Sequence, residues 1–188
     1  MNKIPELFQA VINELVDGAK EVDESQIDKL VEAILAAKRV FVAGAGRSGF
    51  VARAFSNRLM HLGFTVYFVG DTTTPSIQSD DLLVISSGSG TTKSLVAMAQ
   101  TAQSKGTSIA TVTIFPDHTI GQMAKTVVQL LGTTNKFIAE GKGKTRVQPM
   151  GNIFEQLSFL VYDTVTTKIK EMTGQTEEEM AARHANLE

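Results

Sequence analysis

The sequence contains no cysteine and no tryptophan, and its only histidines are His61, His118 and His184. Without cysteine there can be no disulfide, no thiolate nucleophile and no thiolate metal site. No histidine stands at the His-x-x-x-His or Glu-x-x-His spacing of metal-binding helices, so no metal is expected. His118 follows Pro116 and Asp117 in a predicted turn, where a solvated surface histidine is expected.

Charge and hydropathy exclude further classes of protein. The net charge is −2 and no block of lysine or arginine occurs, which argues against a nucleic-acid or membrane-surface partner. Apolar runs such as Ser158 to Tyr162 are far too short to cross a bilayer. The N-terminus lacks the apolar core of a signal peptide, so a cytoplasmic protein is expected. A chain of 188 residues with 43% hydrophobic residues can form one domain, residues 1–188.

The apolar pattern predicts an α/β fold. Helical spacing indicates an N-terminal hairpin of two helices over about residues 5–37, the second with Ser25 as its N-cap. Strand-like runs then alternate with helical segments. This alternation predicts a three-layer αβα architecture, in which a parallel sheet is the middle layer. The predicted strands are Arg39 to Ala43, Thr65 to Val69, Asp81 to Ile85, Ser108 to Ile114 and Thr126 to Leu131. A polar loop, Gly132 to Gln148, and two helices over about residues 152–184 complete the chain, the second capped by Thr176.

Two glycine-rich loops follow predicted strands. The first, Gly44-Ala-Gly-Arg-Ser-Gly49, fits the dinucleotide fingerprint, and Asp71 could then be the acid that binds the ribose. Ser48 points to a different ligand, because its hydroxyl suits a terminal phosphate, whereas a pyrophosphate needs little but bare backbone. Arg47 either neutralises substrate charge or is a surface residue. The second loop, Ser87-Gly-Ser-Gly-Thr-Thr92, offers more hydroxyls than a dinucleotide requires.

The two loops are expected to meet. In a sheet of order 2-1-3-4-5, strands one and three are neighbours at the switch point, where the ligand crevice lies. Helix N-termini follow both loops and favour an anion. We therefore predict that Ser48, Ser87, Ser89 and Thr92 bind a substrate phosphate, and that Gly46, Arg47, Gly88, Gly90 and Thr91 complete the binding site. The alternative is that both loops are ordinary turns and caps.

These loops resemble those of the sugar isomerase (SIS) family. Further segments resemble the branch of that family that isomerises 3-hexulose 6-phosphate: Arg58 to Gly63, Thr72 to Pro75, Gln148 to Gly151, Phe154 to Gln156 and His184 to Glu188. The resemblance covers nearly the whole chain. It implies a SIS domain with a flavodoxin-like sheet of five strands, and a homotetramer with active sites near subunit interfaces and no cofactor. It also implies interconversion of 3-hexulose 6-phosphate and fructose 6-phosphate in the ribulose monophosphate route of formaldehyde fixation. An isomerase for another sugar phosphate, or a sugar-phosphate-binding module without catalysis, remains an alternative.

Such an isomerase needs a base, a group that moves a proton between two oxygens, and a stabiliser for the oxyanion. Glu155, in the first turn of an otherwise apolar helix, is the candidate base, although a first-turn glutamate can equally be a partner of the helix dipole. The resemblance favours the base. It also makes His61 and His184 candidates for proton transfer. His61 lies at a helix end far from its own loop, so it would serve a neighbouring subunit. The basic residues Lys142, Lys144 and Arg146 are either solvated or attract anionic substrate.

Overall fold

A computed structural model describes residues 4–133 and 147–187 of the chain. Its elements are α1 (Glu6–Ala19), α2 (Glu24–Ala36), β1 (Val40–Gly44), α3 (Gly46–His61), β2 (Val66–Phe68), β3 (Leu82–Ser86), α4 (Lys93–Ser104), β4 (Ser108–Thr113), α5 (Thr119–Met123), β5 (Thr126–Gln129), α6 (Asn152–Thr173) and α7 (Glu177–Ala182). The predicted basic run Lys142, Lys144 and Arg146 lies outside the described residues. No helix within the described part is both long and apolar enough to span a membrane.

The sheet has five parallel strands in the order β2-β1-β3-β4-β5, which confirms the predicted topology. Val40 of β1 stands opposite Val66 of β2 on one side and Leu82 of β3 on the other. Strand β3 is buried over its whole length, because helices cover both faces of a parallel sheet. This arrangement brings the carboxyl ends of β1 and β3 side by side.

Two apolar cores lie on opposite faces of the sheet, as the three-layer prediction requires. On one face, α2, α3 and α6 contribute buried residues such as Leu30, Leu59 and Leu157. On the other face, Ala99 of α4 and Ile120 of α5 pack on the sheet. Helix α1 packs against α6 rather than against the sheet.

Helix α1 is also tied to the chain just before α6. The carboxylate of Glu14 accepts hydrogen bonds from the backbone N–H groups of Val147, at 2.7 Å, and Gln148, at 3.3 Å. Two backbone donors on one carboxylate hold this strip of chain to α1, and the strip leads directly to Met150 and Gly151.

The helix ends agree with the predictions at some points and correct them at others. Thr176 forms the predicted capping box at the start of α7, and Gly174 ends α6 in the left-handed conformation at φ +67°. The predicted N-cap Ser25 is wrong. Asp23 holds that position, and its carboxylate accepts from the N–H of Ser25 at 2.9 Å, so α2 begins at Glu24. Helix α5 was not predicted.

The glycines of the first loop are explained by packing. A Cβ at Gly49 would lie 2.8 Å from the carbonyl oxygen of Gly44, so α3 can rest on β1 only because both residues are glycine. Gly46 has φ +57°, in the left-handed region that favours glycine. The fingerprint thus describes a tight strand-to-helix turn, which any anion-binding turn of this kind needs, and it does not specify a dinucleotide.

Candidate active site

An open cleft of about 580 Å³ lies at the carboxyl ends of β1 and β3. Both predicted loops open onto it, as the strand order led us to expect. Its lining consists of Ala45, Arg47, Ser48, Ser86, Ser87, Gly88, Ser89, Thr92, Leu95, Ile114, Thr133, Met150, Gly151, Phe154 and Glu155. The structure therefore brings the candidate base into the same cleft as the candidate phosphate-binding hydroxyls.

Three helices begin at this cleft. Ala45, Thr92 and Gly151 are the N-cap residues of α3, α4 and α6, and all three line it. None of these three residues caps its helix with a side-chain hydrogen bond, in contrast to Asp23 and Thr176 at α2 and α7. The N–H groups of three first turns, together with three helix dipoles, make the cleft favourable for an anion. The contribution of α6 was not predicted.

The hydroxyls of the second loop are held by the loop itself. The Oγ of Ser87 accepts from the N–H of Gly90 at 3.2 Å, and the Oγ of Ser89 accepts from the N–H of Thr91 at 3.3 Å. The hydroxyl oxygens of Ser89 and Thr92 are 3.5 Å apart. A serine hydroxyl that accepts a hydrogen bond keeps its own proton to donate, so these groups are oriented and can still donate to a phosphate. Gly90 makes the turn with φ +63°.

The first loop contributes Ser48 and backbone. Helix α3 begins at Gly46 after the N-cap Ala45, so Ser48 is its third residue. A Cβ built on Gly46 would meet nothing within 4 Å, which leaves the turn open to a ligand. Across the cleft, a side chain at Gly88 would crowd Phe154, because a Cβ there would lie 3.2 Å from its ring.

Glu155 and Arg47 form an ion pair at the cleft. The Nε of Arg47 donates to Oε2 of Glu155 at 2.5 Å. The Glu155 side chain is 13% exposed, whereas that of Arg47 is 66% exposed. Gly151 has φ +86°, and a Cβ there would be 3.4 Å from Oε1 of Glu155, so the carboxylate lies against a backbone that has no side chain. Two residues predicted for separate roles are thus joined, and the arginine fixes the carboxylate beside the cleft.

His61 and His184 lie together, away from their own chain's cleft. Their rings stack with centroids 4.9 Å apart, and Nη1 of Arg183 donates to the carbonyl of His61 at 3.0 Å. His61 is the last residue of α3, roughly 22 Å along the helix from Gly46. Burial, followed by the charge of Arg58 and the nearby His184 ring, lowers the pKa of His61, which favours the neutral form of this imidazole. Neither ring joins Glu155 in the same chain.

His118 is exposed, as expected, but it also makes contacts that the sequence did not predict. Its Nδ1 lies 2.8 Å from the backbone carbonyl oxygen of Ser89, and its ring stacks on Phe115 with centroids 4.6 Å apart. The hydrogen bond joins residues 29 positions apart, so the local sequence around His118 does not predict it.

Asp71, the acid that a dinucleotide site would use for the ribose, forms an ion pair with Arg53. Its Oδ1 accepts from Nη1 of Arg53 at 3.0 Å, and the guanidinium of Arg53 lies 3.8 Å from the ring centre of Phe68. Both side chains of this ion pair are about half exposed, so the pair lies at the surface.

Several residues of the lining were missed from the sequence. Ser86 ends the buried strand β3 directly before the predicted loop, so its position could have been inferred from the strand end. Met150 and Phe154 flank the start of α6 and could have been inferred once that start was placed at the cleft. Among residues 4–133 and 147–187, no three His, Asp or Glu side chains are grouped so that they could hold a metal ion.

Comparison with known proteins agrees with this architecture. Residues 33–160 match the SIS domain, and the chain therefore belongs to the SIS domain family. The 3-hexulose-6-phosphate isomerase of Bacillus subtilis is 41% identical over 99% of this chain and 100% of its own length. The 3-hexulose-6-phosphate isomerase of Mycobacterium gastri is 44% identical over 95% of this chain and 88% of its own.

A solved structure shows the same fold. The crystal structure of a Methanococcus jannaschii protein, for which a 3-hexulose-6-phosphate isomerase function was inferred, superimposes with a TM-score of 0.81 at 33% identity. The match covers 98% of this chain and 100% of that one. The family resemblance that the sequence motifs indicated is confirmed.

Proposed function

We propose that this protein is an isomerase that interconverts 3-hexulose 6-phosphate and fructose 6-phosphate through a 2,3-enediolate, as a single SIS domain without a cofactor. The observation that carries the proposal is Glu155, a largely buried carboxylate held by Arg47 beside the two glycine-rich loops and their hydroxyls. The relatives named above support the choice of substrate, since their similarity extends over nearly the whole chain. The reaction belongs to the ribulose monophosphate pathway. Because its phosphorylated sugars are charged and stay inside the cell, we place the protein in the cytoplasm.

The phosphate binds where the two loops meet. Ser48, Ser87, Ser89 and Thr92 donate their hydroxyl protons to it, and the N-termini of α3 and α4 add backbone donors. Each hydrogen bond to a charged phosphate is worth about 1.5–3 kcal/mol, so four of them fix one end of the sugar chain firmly. The reacting carbons then extend toward the N-terminus of α6, where Glu155 lies.

The chemistry moves protons and needs no redox partner. Glu155 removes the proton from C2 of the 3-keto sugar, and the electron pair forms the C2–C3 double bond of an enediolate, with negative charge on the oxygen of C3. The proton on the oxygen of C2 moves to the oxygen of C3, and Glu155 returns its proton to C3, which leaves the ketone at C2. The guanidinium of Arg47 and the N-terminus of α6 stabilise the oxyanion.

The proton transfer between the two oxygens is assigned to His61 and His184 of a neighbouring subunit in a homotetramer. A neutral imidazole can take one proton and give up another, which suits His61. An apolar hollow of about 320 Å³ adjoins Arg47 and Glu155. It is lined by Leu15, Val51, Phe159 and Leu160, and the last two are 44% and 50% exposed. A subunit seated on this hollow would bury apolar surface and stand next to the cleft.

A coupled assay tests the reaction. The enzyme is supplied with 3-hexulose 6-phosphate, and fructose 6-phosphate is followed with glucose-6-phosphate isomerase and dehydrogenase. Glu155→Gln should lower kcat by about 10²–10⁴-fold, the usual contribution of a general base, while the Kd for fructose 6-phosphate changes little. Glu171→Gln, on the exposed face of the same helix, is the matched control. Near-normal turnover by Glu155→Gln would move the base elsewhere.

The alternatives give different results in the same assay. A wild-type protein that binds fructose 6-phosphate but converts none of the 3-hexulose would be a binding module. Turnover of arabinose 5-phosphate or sedoheptulose 7-phosphate alone would keep the chemistry and change the substrate.

Shared active sites are tested by mixing subunits. Glu155→Gln and His61→Gln are each expected to be nearly inactive as pure oligomers. In hybrids formed by co-expression, some sites combine an intact Glu155 from one subunit with an intact His61 from another, and about a quarter of wild-type activity should return. Hybrids without activity, although both variants bind fructose 6-phosphate, would show that the histidines do not act across an interface.

A further inference from the structure

The second phosphate loop is held from behind by the chain segment that follows β4. The carbonyl oxygens of three consecutive residues, Gly88, Ser89 and Gly90, all accept hydrogen bonds from the segment Thr113–Ile120. The donors are the backbone N–H of Ile114 to Gly88 at 3.2 Å, the ring Nδ1 of His118 to Ser89 at 2.8 Å and the backbone N–H of Ile120 to Gly90 at 3.0 Å. The middle contact of the three is made by a side chain.

The contact from His118 continues through one peptide group to a phosphate-binding hydroxyl. The carbonyl of Ser89 and the N–H of Gly90 belong to the same planar peptide and point in opposite directions. His118 holds the carbonyl, and on the other side the N–H of Gly90 donates to Oγ of Ser87 at 3.2 Å. The orientation of the Ser87 hydroxyl therefore depends on a peptide that His118 fixes from the opposite side.

The surroundings of His118 are built for this contact. A carbonyl oxygen can only accept, so Nδ1 must carry the hydrogen. The ring of Phe115 stacks on the imidazole, and a Cβ on Gly90 would lie 3.1 Å from Cβ of His118, so glycine is what lets the two chain segments approach. His118 itself is exposed and belongs to neither apolar core. Its loss should therefore affect the loop more than the fold.

We propose that His118 is a positioning residue for substrate phosphate: its Nδ1–H orients the Ser89–Gly90 peptide and, through that peptide, the hydroxyl of Ser87. His118 does not touch the substrate. The inference rests on the proposed phosphate site, and it adds a residue that lies outside the lining of the cleft.

The test compares two substitutions of similar size. The side-chain amide of His118→Asn can donate from nearly the position of Nδ1, whereas His118→Leu fills similar space and cannot donate. His118→Leu should raise the KM for 3-hexulose 6-phosphate, and the Kd for inorganic phosphate, by about threefold to tenfold, with a much smaller change in kcat. His118→Asn should return both values close to those of the wild type. Asp117→Ala, an exposed change in the same turn, is the control and should alter neither.

A second variant separates this inference from the proposed function. If Ser87→Ala leaves KM and Kd unchanged, the phosphate site itself is wrong. If Ser87→Ala weakens binding but His118→Leu does not, or if His118→Asn fails to restore it, only the role of His118 is overturned. A lower Tm of the free protein with unchanged KM in His118→Leu would also overturn it, since that result indicates a purely structural contact. The double variant Ser87→Ala/His118→Leu should bind inorganic phosphate about as weakly as Ser87→Ala alone, because both changes act through one peptide.

Discussion

A methyl group added at Gly49 has no room. In Gly49→Ala the new Cβ would lie 2.8 Å from the carbonyl oxygen of Gly44 and 2.9 Å from its carbonyl carbon, and both are backbone atoms that no rotamer change can move. Helix α3 would have to retreat from β1 by roughly half an ångström, a distortion typical of an overpacked core that costs about 1–3 kcal/mol. Replacing a helical glycine by alanine returns up to about 1 kcal/mol. We expect a net loss of about 1–2 kcal/mol.

For a chain of this size, each kcal/mol lowers Tm by about 2–4 °C, so Gly49→Ala should unfold about 2–8 °C earlier in calorimetry. The same retreat displaces Gly46 and Ser48 at the start of α3, so KM for the sugar phosphate should rise as well. Gly18→Ala is the matched control, because the nearest atoms to its Cβ would be side-chain carbons rather than backbone, namely Cδ1 of Leu157 at 2.8 Å and Cδ1 of Ile153 at 3.4 Å. Wild-type Tm and KM in Gly49→Ala would refute the packing argument. Saturable, tight binding of NADH by the wild type would revive the dinucleotide interpretation.

Three further results are expected. In D₂O the wild type should place deuterium on C3 of fructose 6-phosphate, as seen by NMR, whereas label at C1 would indicate a 1,2-isomerisation. Burial alone would raise the pKa of Asp81, but hydrogen bonds from Arg39 and the N–H of Gln78 outweigh it and lower that pKa below its usual 3.8. The stability this carboxylate contributes is therefore present above about pH 4 and lost as the pH falls further. In Asp81→Asn, the free energy of unfolding by urea should therefore fall less steeply with pH below about 4 than in the wild type. The same fall in both proteins would contradict this. Gly90→Ala, at φ +63° and against Cβ of His118, should raise KM more than it lowers kcat, and an unaltered KM would count against the loop geometry.

The fold could be predicted largely because its central strands are buried on both faces. Strands of this kind appear in the sequence as continuous apolar runs rather than as alternating apolar and polar residues, and the runs ending at Ala43 and Ile85 are of this type. Helix α5 could not be predicted in the same way. It has five residues, and a Cβ at Gly121 would lie only 2.0 Å from the carbonyl oxygen of Pro116, so this short helix depends on one close backbone approach. The N-cap Asp23 was missed because aspartate and serine cap helices about equally well, and both occur at that helix start.

The site could be predicted as far as it depends on strand ends. Hydroxyls that follow two neighbouring strands must meet, and they do so in the cleft. The ion pair of Arg47 and Glu155 could not be predicted, because it joins residues 108 positions apart through the packing of α3 on α6. The hydrogen bond from His118 to a backbone carbonyl could not be predicted either. Every residue has a carbonyl, so the sequence does not mark which one is the partner. The roles of His61 and His184 stay predictions, because they depend on a second subunit.

The bond between Glu14 and the chain before α6 bears on where this protein can be cut. The stretch that matches the SIS domain begins at residue 33, so a fragment that started there would keep both glycine-rich loops and lose Glu14. The backbone of Val147 and Gln148 would lose its carboxylate partner, and the cleft wall formed by Met150 and Gly151 would lose its tether. We therefore expect that a piece long enough to be recognised as a SIS domain can still be too short to hold this wall of the cleft in place, and deletion studies should keep the first helix.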